Sequence, residues 1–193
     1  GGIIDLTEAV DLRYTQSTSG GTLAASESWL GSQVHYVAED LIVPAGVTLT
    51  INPGAIVKLA DKRSIIVASG GRLNAIGNIA QPVVFTSDKD DSLGGDTNGD
   101  GDQSVPAAGD WQSILASGGT IALDHAVLTY GAGTPSGTWD QTGAIRTAGA
   151  ARVTVLNSTI RDAFFEGSSV WGNGAQVAVT NTLIAKCTPG VTA

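Results

Sequence analysis

Charged residues are scarce in this sequence of 193 residues. Asp, Glu, Lys and Arg together make up 15% of it, against roughly 25% in an average globular domain. Only four lysines and four glutamates occur. Because surface helices normally carry such residues on their outer faces, their scarcity predicts a chain with little helix.

Basic stretches and long apolar runs are also lacking. The net charge is −8 and the sequence pI is about 4.5, which argues against partners that need a basic surface, namely nucleic acid and anionic membranes. No run of 18 apolar residues is present, so the sequence predicts no membrane insertion.

The single cysteine, Cys187, rules out an internal disulfide framework. The acidic residues are mostly aspartates, 14 of 18, a balance that fits a secreted protein and suits calcium. From the start at residues 1–4 we expect a mature or excised piece, and from the end at residues 188–193, which lacks an obvious cap, we expect part of a larger protein. We therefore expect an extracellular, secreted or cell-surface location, with end-to-end self-association if an end is uncapped.

Glycine, by contrast, is abundant, with 26 residues. Turn signals such as Pro44-Ala45-Gly46 and Asn52-Pro53-Gly54 separate apolar runs of three to five residues, which predict short strands. Residues 15–28 are rich in Ser, Thr, Gly and Ala and are expected to form a loop. We therefore predict an N-terminal extension and possible cap at 1–30, with Trp29 and Leu30 closing the core.

The remaining residues, 31–193, are predicted to form one domain with internal repeats. Three segments align, 121–128, 153–160 and 177–184, at offsets of 32 and 24 residues. Each has an apolar strand, a polar corner and a second apolar strand, which is typical of a solenoid built from β-strands. The alternating residues are expected to point inward and stack in columns: Ile121, Leu123, Val153, Val155, Val177 and Val179.

The corner of each repeat holds His125, Asn157 or Asn181. Asn tolerates a left-handed backbone, and stacked Asn amides can bond to one another along a column. The pattern favours a corner role for His125 over that of a catalytic base, because no Ser or Cys nucleophile stands at a recognisable spacing.

Three segments carry a resemblance to a known fold: DLIVPAGVTLTINPGAIVKL at 40–59, GGRLNAIGNIAQPVVFTSDKD at 70–90 and GDWQSI at 109–114. They resemble the right-handed parallel β-helix proteins of the pectate-lyase-like superfold. More narrowly, they are similar to modules of large bacterial extracellular and cell-surface proteins. The resemblance implies an all-β, single-stranded, right-handed parallel β-helix with three-faced coils, and the repeat period gives about six to eight coils. It implies no activity, because the superfold hosts lyases, hydrolases, adhesins and inert stalks.

Two segments interrupt the rhythm of strands and are predicted to be loop excursions, at 87–110 and 131–142. The first is rich in Asp and Gly. Within it Asp96, Asn98, Asp100 and Asp102 alternate, and Gly101 stands at the sixth place, as in calcium-binding loops. We predict one structural calcium ion held by these four residues with help from Asp90 or Asp91. The twelfth place, which usually holds a bidentate Glu, is Ala107, so a metal-free acidic turn stays open as the alternative.

Catalytic residues are harder to find. Arg146 and the pair Arg161 and Asp162 lie in later coils, but no dense carboxylate cluster recurs at the spacing of one coil. The sequence therefore favours a non-catalytic structural or adhesin-type module over a polysaccharide lyase or glycoside hydrolase.

A third possibility is a carbohydrate-binding module without cleavage, since aromatic rings bind sugars by stacking. Its candidate residues are Trp111, Trp139, Trp171, Phe164 and Phe165, although Trp111 and Phe164 are expected to lie within coils. The expected partners are accordingly carbohydrate or another surface protein.

Overall fold

The computed structural model describes residues 15–133, 142–164, 170–171 and 174–187. Strands account for all the regular structure in these ranges. They are β1 (Thr15–Thr22), β2 (Glu27–Trp29), β3 (Gln33–Val43), β4 (Thr48–Ile51), β5 (Ile56–Leu59), β6 (Ser64–Ala68), β7 (Arg72–Ile76), β8 (Val83–Ser87), β9 (Ser113–Ser117), β10 (Thr120–Asp124), β11 (Ala126–Thr129), β12 (Ile145–Ala148), β13 (Arg152–Leu156), β14 (Thr159–Arg161), β15 (Val170–Trp171), β16 (Gln176–Thr180) and β17 (Leu183–Ala185).

These strands stack in three faces. Face A holds β2, β4, β7, β10, β13 and β16, face B holds β5, β8, β11, β14 and β17, and face C holds β6, β9, β12 and β15. The long strand β3 serves faces B and C, since Val34–Val37 pair with β5 and Leu41–Val43 pair with β6. From β4 onward the chain visits the faces in the order A, B, C, and the pairings within each face are parallel. The molecule is therefore the predicted parallel β-helix, with three strands per coil.

The interior is filled by the alternating apolar residues of all three faces. Ile121 pairs in register with Val153, and Val153 with Val177, which confirms the predicted column. Ile121 and Val153 are buried, whereas Val177 is 37% exposed. The difference arises because β16 belongs to the last described coil, which has a neighbour on one side only.

The predicted corners are confirmed. His125, Asn157 and Asn181 have φ of +49°, +48° and +48°, the left-handed region that Asn tolerates better than most residues. The Asn181 amide donates to Asn157 Oδ1 at 2.7 Å. The Asn157 amide donates to Asp124 Oδ1 at 2.9 Å, so the ladder continues to Asp124 and not to His125.

The expectation of a loop at residues 15–28 is wrong. Strand β1 lies there and pairs with β3, and β2 pairs with β4. Ser, Thr and Gly do not prevent this, because the edge of β3 supplies the ladder of backbone hydrogen bonds. Of the two residues expected to close the core, Trp29 is buried, but Leu30 is 52% exposed.

The first predicted excursion leaves face B after β8 and returns at β9. The second lies partly outside the described residues, which omit 134–141. Across the described ranges, no helix is long and apolar enough to cross a membrane.

Candidate metal centre

Two buried aspartates fix the base of the first excursion. Asp90 accepts hydrogen bonds from Thr86 Oγ1 at 2.7 Å and Ser92 Oγ at 2.5 Å. Asp110 accepts from Ser87 Oγ at 2.7 Å and from Lys89 Nζ at 2.9 Å. Both carboxylates thus attach the excursion to the end of β8, and the oxygens of Asp90 are already occupied by hydroxyl donors.

The tip of the excursion is a tight acidic turn that begins at Asp96. Its carboxylate accepts the backbone N–H of Gly99 at 2.7 Å and that of Gly101 at 2.9 Å. The bond from Gly101 is the main reason why the pKa of Asp96 lies below its usual value. Gly99 and Gly101 both have positive φ, +75° and +65°, which glycine adopts without strain. Asp96 therefore stays ionised in the turn.

Three carboxylates meet at this turn. Asp91, Asp96 and Asp100 each offer one oxygen, and these oxygens lie within 4.8 Å of one another. Two oxygens bound to one calcium ion at roughly 2.4 Å lie no more than about 4.8 Å apart, so these separations are compatible with one ion shared by the three carboxylates. No other group of three or more such side chains occurs in the described ranges.

Two of these carboxylates have an unused oxygen. Asp91 Oδ1 and Asp100 Oδ1 are buried and have no hydrogen-bond partner. Burial raises the pKa of Asp91, and the negative charges of Asp96, Asp100 and Asp102 raise it further, whereas Lys58 lowers it. Buried anionic oxygens without a donor are costly, and a cation is the species that would relieve them. The residues present therefore fit a calcium ion.

The structure brings together three of the six predicted ligands. The Asn98 amide donates to Asp100 Oδ2 at 3.0 Å and to Ser104 Oγ at 3.0 Å, so Asn98 orients Asp100. Asp102 is exposed and lies outside the group of three. Asp91, and not Asp90, contributes the additional carboxylate. Because three carboxylates fall short of the usual six to eight oxygens, backbone carbonyls and water would complete the shell.

A buried lysine lies beneath the acidic turn. Lys58, on β5, is 0% exposed, and its ammonium donates to the carbonyl of Gly95. Burial lowers the pKa of Lys58, and the nearby carboxylates, led by Asp91, oppose that shift. Sequence reasoning misses this contact, since Lys58 occupies an ordinary outward position in a strand and its hydrogen-bond acceptor lies 37 positions away.

Among the described residues, Arg161 and His125 each lie beside a neighbouring aspartate. Arg161 forms an ion pair with Asp162, and His125 Nδ1 lies 2.8 Å from Asp124 Oδ1 at a corner of the coil. The two aromatic candidates whose side chains are described, Trp111 and Phe164, both belong to the coil. Trp111 is buried and donates to Thr129 O at 2.7 Å, and Phe164 packs against the core. Trp139 and Phe165 lie outside the described residues, and for Trp171 only the backbone is described.

One open groove lies beside the excursion, with a volume of about 590 Å³. Its polar lining comes from Tyr130, Asp162 and Lys186, and its apolar wall from Pro106, Ala107 and Ala108. Asp162 is the one carboxylate among the described residues that line the groove, and it is already paired with Arg161.

Comparison with known proteins gives one match. Residues 21–188 match the family described as the pectate-lyase like beta helix domain. No curated protein and no solved structure matches the chain. Because the match covers most of the sequence and the strands form a parallel β-helix, the chain belongs to the family of pectate-lyase-like β-helix domains.

Proposed function

We propose that this chain is a non-catalytic structural module of an extracellular protein, of the stalk, scaffold or adhesin type, with one calcium ion bound at the acidic turn by Asp91, Asp96 and Asp100. The contacts of the acidic residues in the excursion support this proposal. Asp90 and Asp110 attach the excursion to the coil, and Asp91, Asp96 and Asp100 form a group that a calcium ion fits. In this arrangement the carboxylates stabilise the fold of the excursion and its attachment to the coil.

The same proposed site supports an extracellular location. Calcium sites in extracellular modules bind at roughly 10⁻⁴–10⁻³ M, and a site with three carboxylates and no bidentate Glu suits that weak range. Such a site would be filled outside the cell and empty in a cytosol with little free calcium.

The alternative of a polysaccharide lyase or glycosidase is less well supported. A general base must reach its substrate within hydrogen-bonding distance, yet Lys58, the lysine nearest the acidic turn, is 0% exposed. Asp162, the carboxylate of the groove, is held by Arg161. We therefore expect no cleavage of pectate, alginate or related polymers, with or without calcium.

The groove supports a second candidate function, carbohydrate binding without cleavage. Its volume of about 590 Å³ lies in the range of small-ligand sites, roughly 300–1,000 Å³, and the Tyr130 side chain offers a ring for stacking. Saccharide binding that weakens in Tyr130→Ala would favour this function. Equal retention of the wild type and Tyr130→Ala on a column of immobilised polysaccharide would argue against it.

The experiment for the main proposal compares melting temperatures in calcium and in chelator. Bound calcium stabilises by mass action, by about 2.7 kcal/mol at a hundredfold excess over the dissociation constant, so the wild type should melt at a higher temperature in calcium. This increase in melting temperature should vanish in Asp96→Ala/Asp100→Ala. It should persist in Asp102→Ala, the matched control outside the group of three. Equal melting temperatures in calcium and chelator, or product release from a polymer above background, would refute the proposal.

A further inference from the structure

The side chain of Lys58 leaves the coil on its outer face. In β5 the alternate residues Val57 and Leu59 belong to the core, whereas Ile56 and Lys58 point away from it. An outward lysine is normally solvated, yet Lys58 is 0% exposed. The excursion covers this outer face and packs directly against it.

The covering segment is the glycine pair Gly94 and Gly95. A Cβ on Gly94 would come within 2.4 Å of Val34 Cγ2, so only glycine allows this approach. Both glycines have positive φ, +72° and +78°. The next residue, Gly95, accepts the hydrogen bond from Lys58 Nζ. The ammonium therefore holds the backbone one residue before Asp96, where the acidic turn begins.

The charge of Lys58 matters as much as its hydrogen bond. Burial lowers the pKa of Lys58, and the carboxylates that oppose this shift are Asp91 first, then Asp90, Asp88 and Asp96. The other two lysines near the excursion are engaged at its base: Lys89 pairs with Asp110, and Lys62 donates to Gly109 O at 2.7 Å. A buried ammonium persists only where opposite charge compensates its lost hydration, and here the acidic turn supplies that charge.

We propose that Lys58 is the resident counter-ion of the acidic turn: it holds the turn against β5 when calcium is absent and weakens calcium binding when the ion is present. The second half rests on the proposed calcium site. Lys58 is thus a positioning residue that sets the affinity of the turn without itself binding the ion.

Replacing Lys58 by methionine removes the charge and keeps a long side chain that suits the buried position. Two effects of opposite sign follow. Without calcium the turn loses its tether, so its amides exchange faster. With calcium a positive charge no longer repels the divalent ion, so the affinity rises. A purely mechanical tether would instead lower the affinity when it is removed.

The test combines hydrogen exchange and calorimetry on the wild type, Lys58→Met and Lys58→Arg. In chelator, the amides of Gly99 and Gly101 should exchange about tenfold faster or more in Lys58→Met, as expected for a lost charge-assisted hydrogen bond. Lys58→Arg keeps the charge, so the same amides should exchange about as slowly as in the wild type. Calcium titration should give a dissociation constant lower by about tenfold in Lys58→Met.

Unchanged exchange in Lys58→Met, or weaker calcium binding by that variant, would overturn the proposal. If no protein binds calcium but the exchange rates change as expected, the calcium site fails while the counter-ion role stands. If Lys58→Met does not fold in chelator, Lys58→Met/Asp91→Asn decides: folding of the double variant supports charge compensation, and its failure refutes it.

Discussion

At the scale of single residues, local contacts determine the protonation of His35, the more buried of the two histidines. His35 stacks on Trp29, with ring centroids 4.5 Å apart. Its Nε2 lies 3.2 Å from the Leu30 carbonyl, which can only accept, so Nδ1 accepts from Ser17 Oγ at 2.9 Å. Burial lowers the pKa of His35 below its usual value, although the Leu30 carbonyl and the charge of Glu27 oppose the shift.

This shift predicts a pH dependence at the N-terminal end. Because the folded pKa of His35 is below the unfolded pKa of about 6.5, the unfolded chain binds the proton first. The stability is therefore fully present above about pH 6.5 and is lost as the pH falls through the folded pKa. Urea unfolding should show a larger loss between pH 7 and pH 5 in the wild type than in His35→Gln, which cannot take up a proton. Equal losses would show that His35 is not responsible.

A second prediction concerns the corner residues. Asn157 combines φ of +48° with hydrogen bonds to Asp124 and Asn181. Asn157→Ala should lower the free energy of unfolding by about 1 kcal/mol or more, since alanine adopts left-handed backbone at that cost. Asn157→Gly, which is free of this strain, should lower it less. Equal losses for the two variants in denaturant melts would show that the amide ladder, which both substitutions remove, outweighs the backbone strain.

At the scale of elements, the columns of inward residues hold the coils together. Val155 is 0% exposed and lies between Leu123 and Val179 in register. Val155→Asp should lower the free energy of unfolding by about 4 kcal/mol or more, because it buries a carboxylate without a partner. The control Thr154→Asp points to the other side of β13 and should cost far less. Equal losses in thermal melts of the two variants would contradict the assignment of the inner face.

The elements that the sequence predicts are those whose signal is local. The apolar alternation in 121–123 and 153–155, together with the corner residues that follow, is sufficient to identify β10 and β13 of face A. Strand β1 escapes prediction because Ser, Thr and Gly show no alternation, and its pairing partner lies 18 residues away. The acidic turn follows from the spacing of Asp96 and Asp100, which is also local.

The rest of the site depends on tertiary contacts. Sequence spacing does not choose between Asp90 and Asp91, since both precede the turn. The choice depends on a hydrogen bond to the Asp90 carboxylate from Thr86, which lies at the end of β8. The burial of Lys58 depends on the path of the whole excursion over β5, and no pattern near residue 58 encodes that path.

At the scale of the whole molecule, the last described coil ends in apolar side chains. Val177, Val179, Leu183 and Ile184 are 37–60% exposed, and β16 and β17 each pair with one neighbour among the described strands. Patches of this kind mark association sites. We therefore propose end-to-end self-association, with the end of a second copy as the occupant.

Sedimentation over a range of concentrations tests this proposal. The wild type should form dimers or longer species, and Val177→Lys/Val179→Lys should be monomeric, because buried charges oppose association. Ile79→Lys is the matched control, since Ile79 is an isolated apolar residue, 91% exposed, in the turn after β7. A wild type that stays monomeric at all concentrations, or association unchanged by the double substitution, would contradict it.

We propose that the acidic turn is a structural calcium site on a β-helix module, and a crystal structure grown with calcium is the decisive experiment. We expect one ion with oxygens of Asp91, Asp96 and Asp100 at about 2.3–2.6 Å, the turn still held to β5 by Lys58, and Asp90 still bonded to Thr86. A turn without an ion at saturating calcium, or an ion bound elsewhere, would contradict the claim.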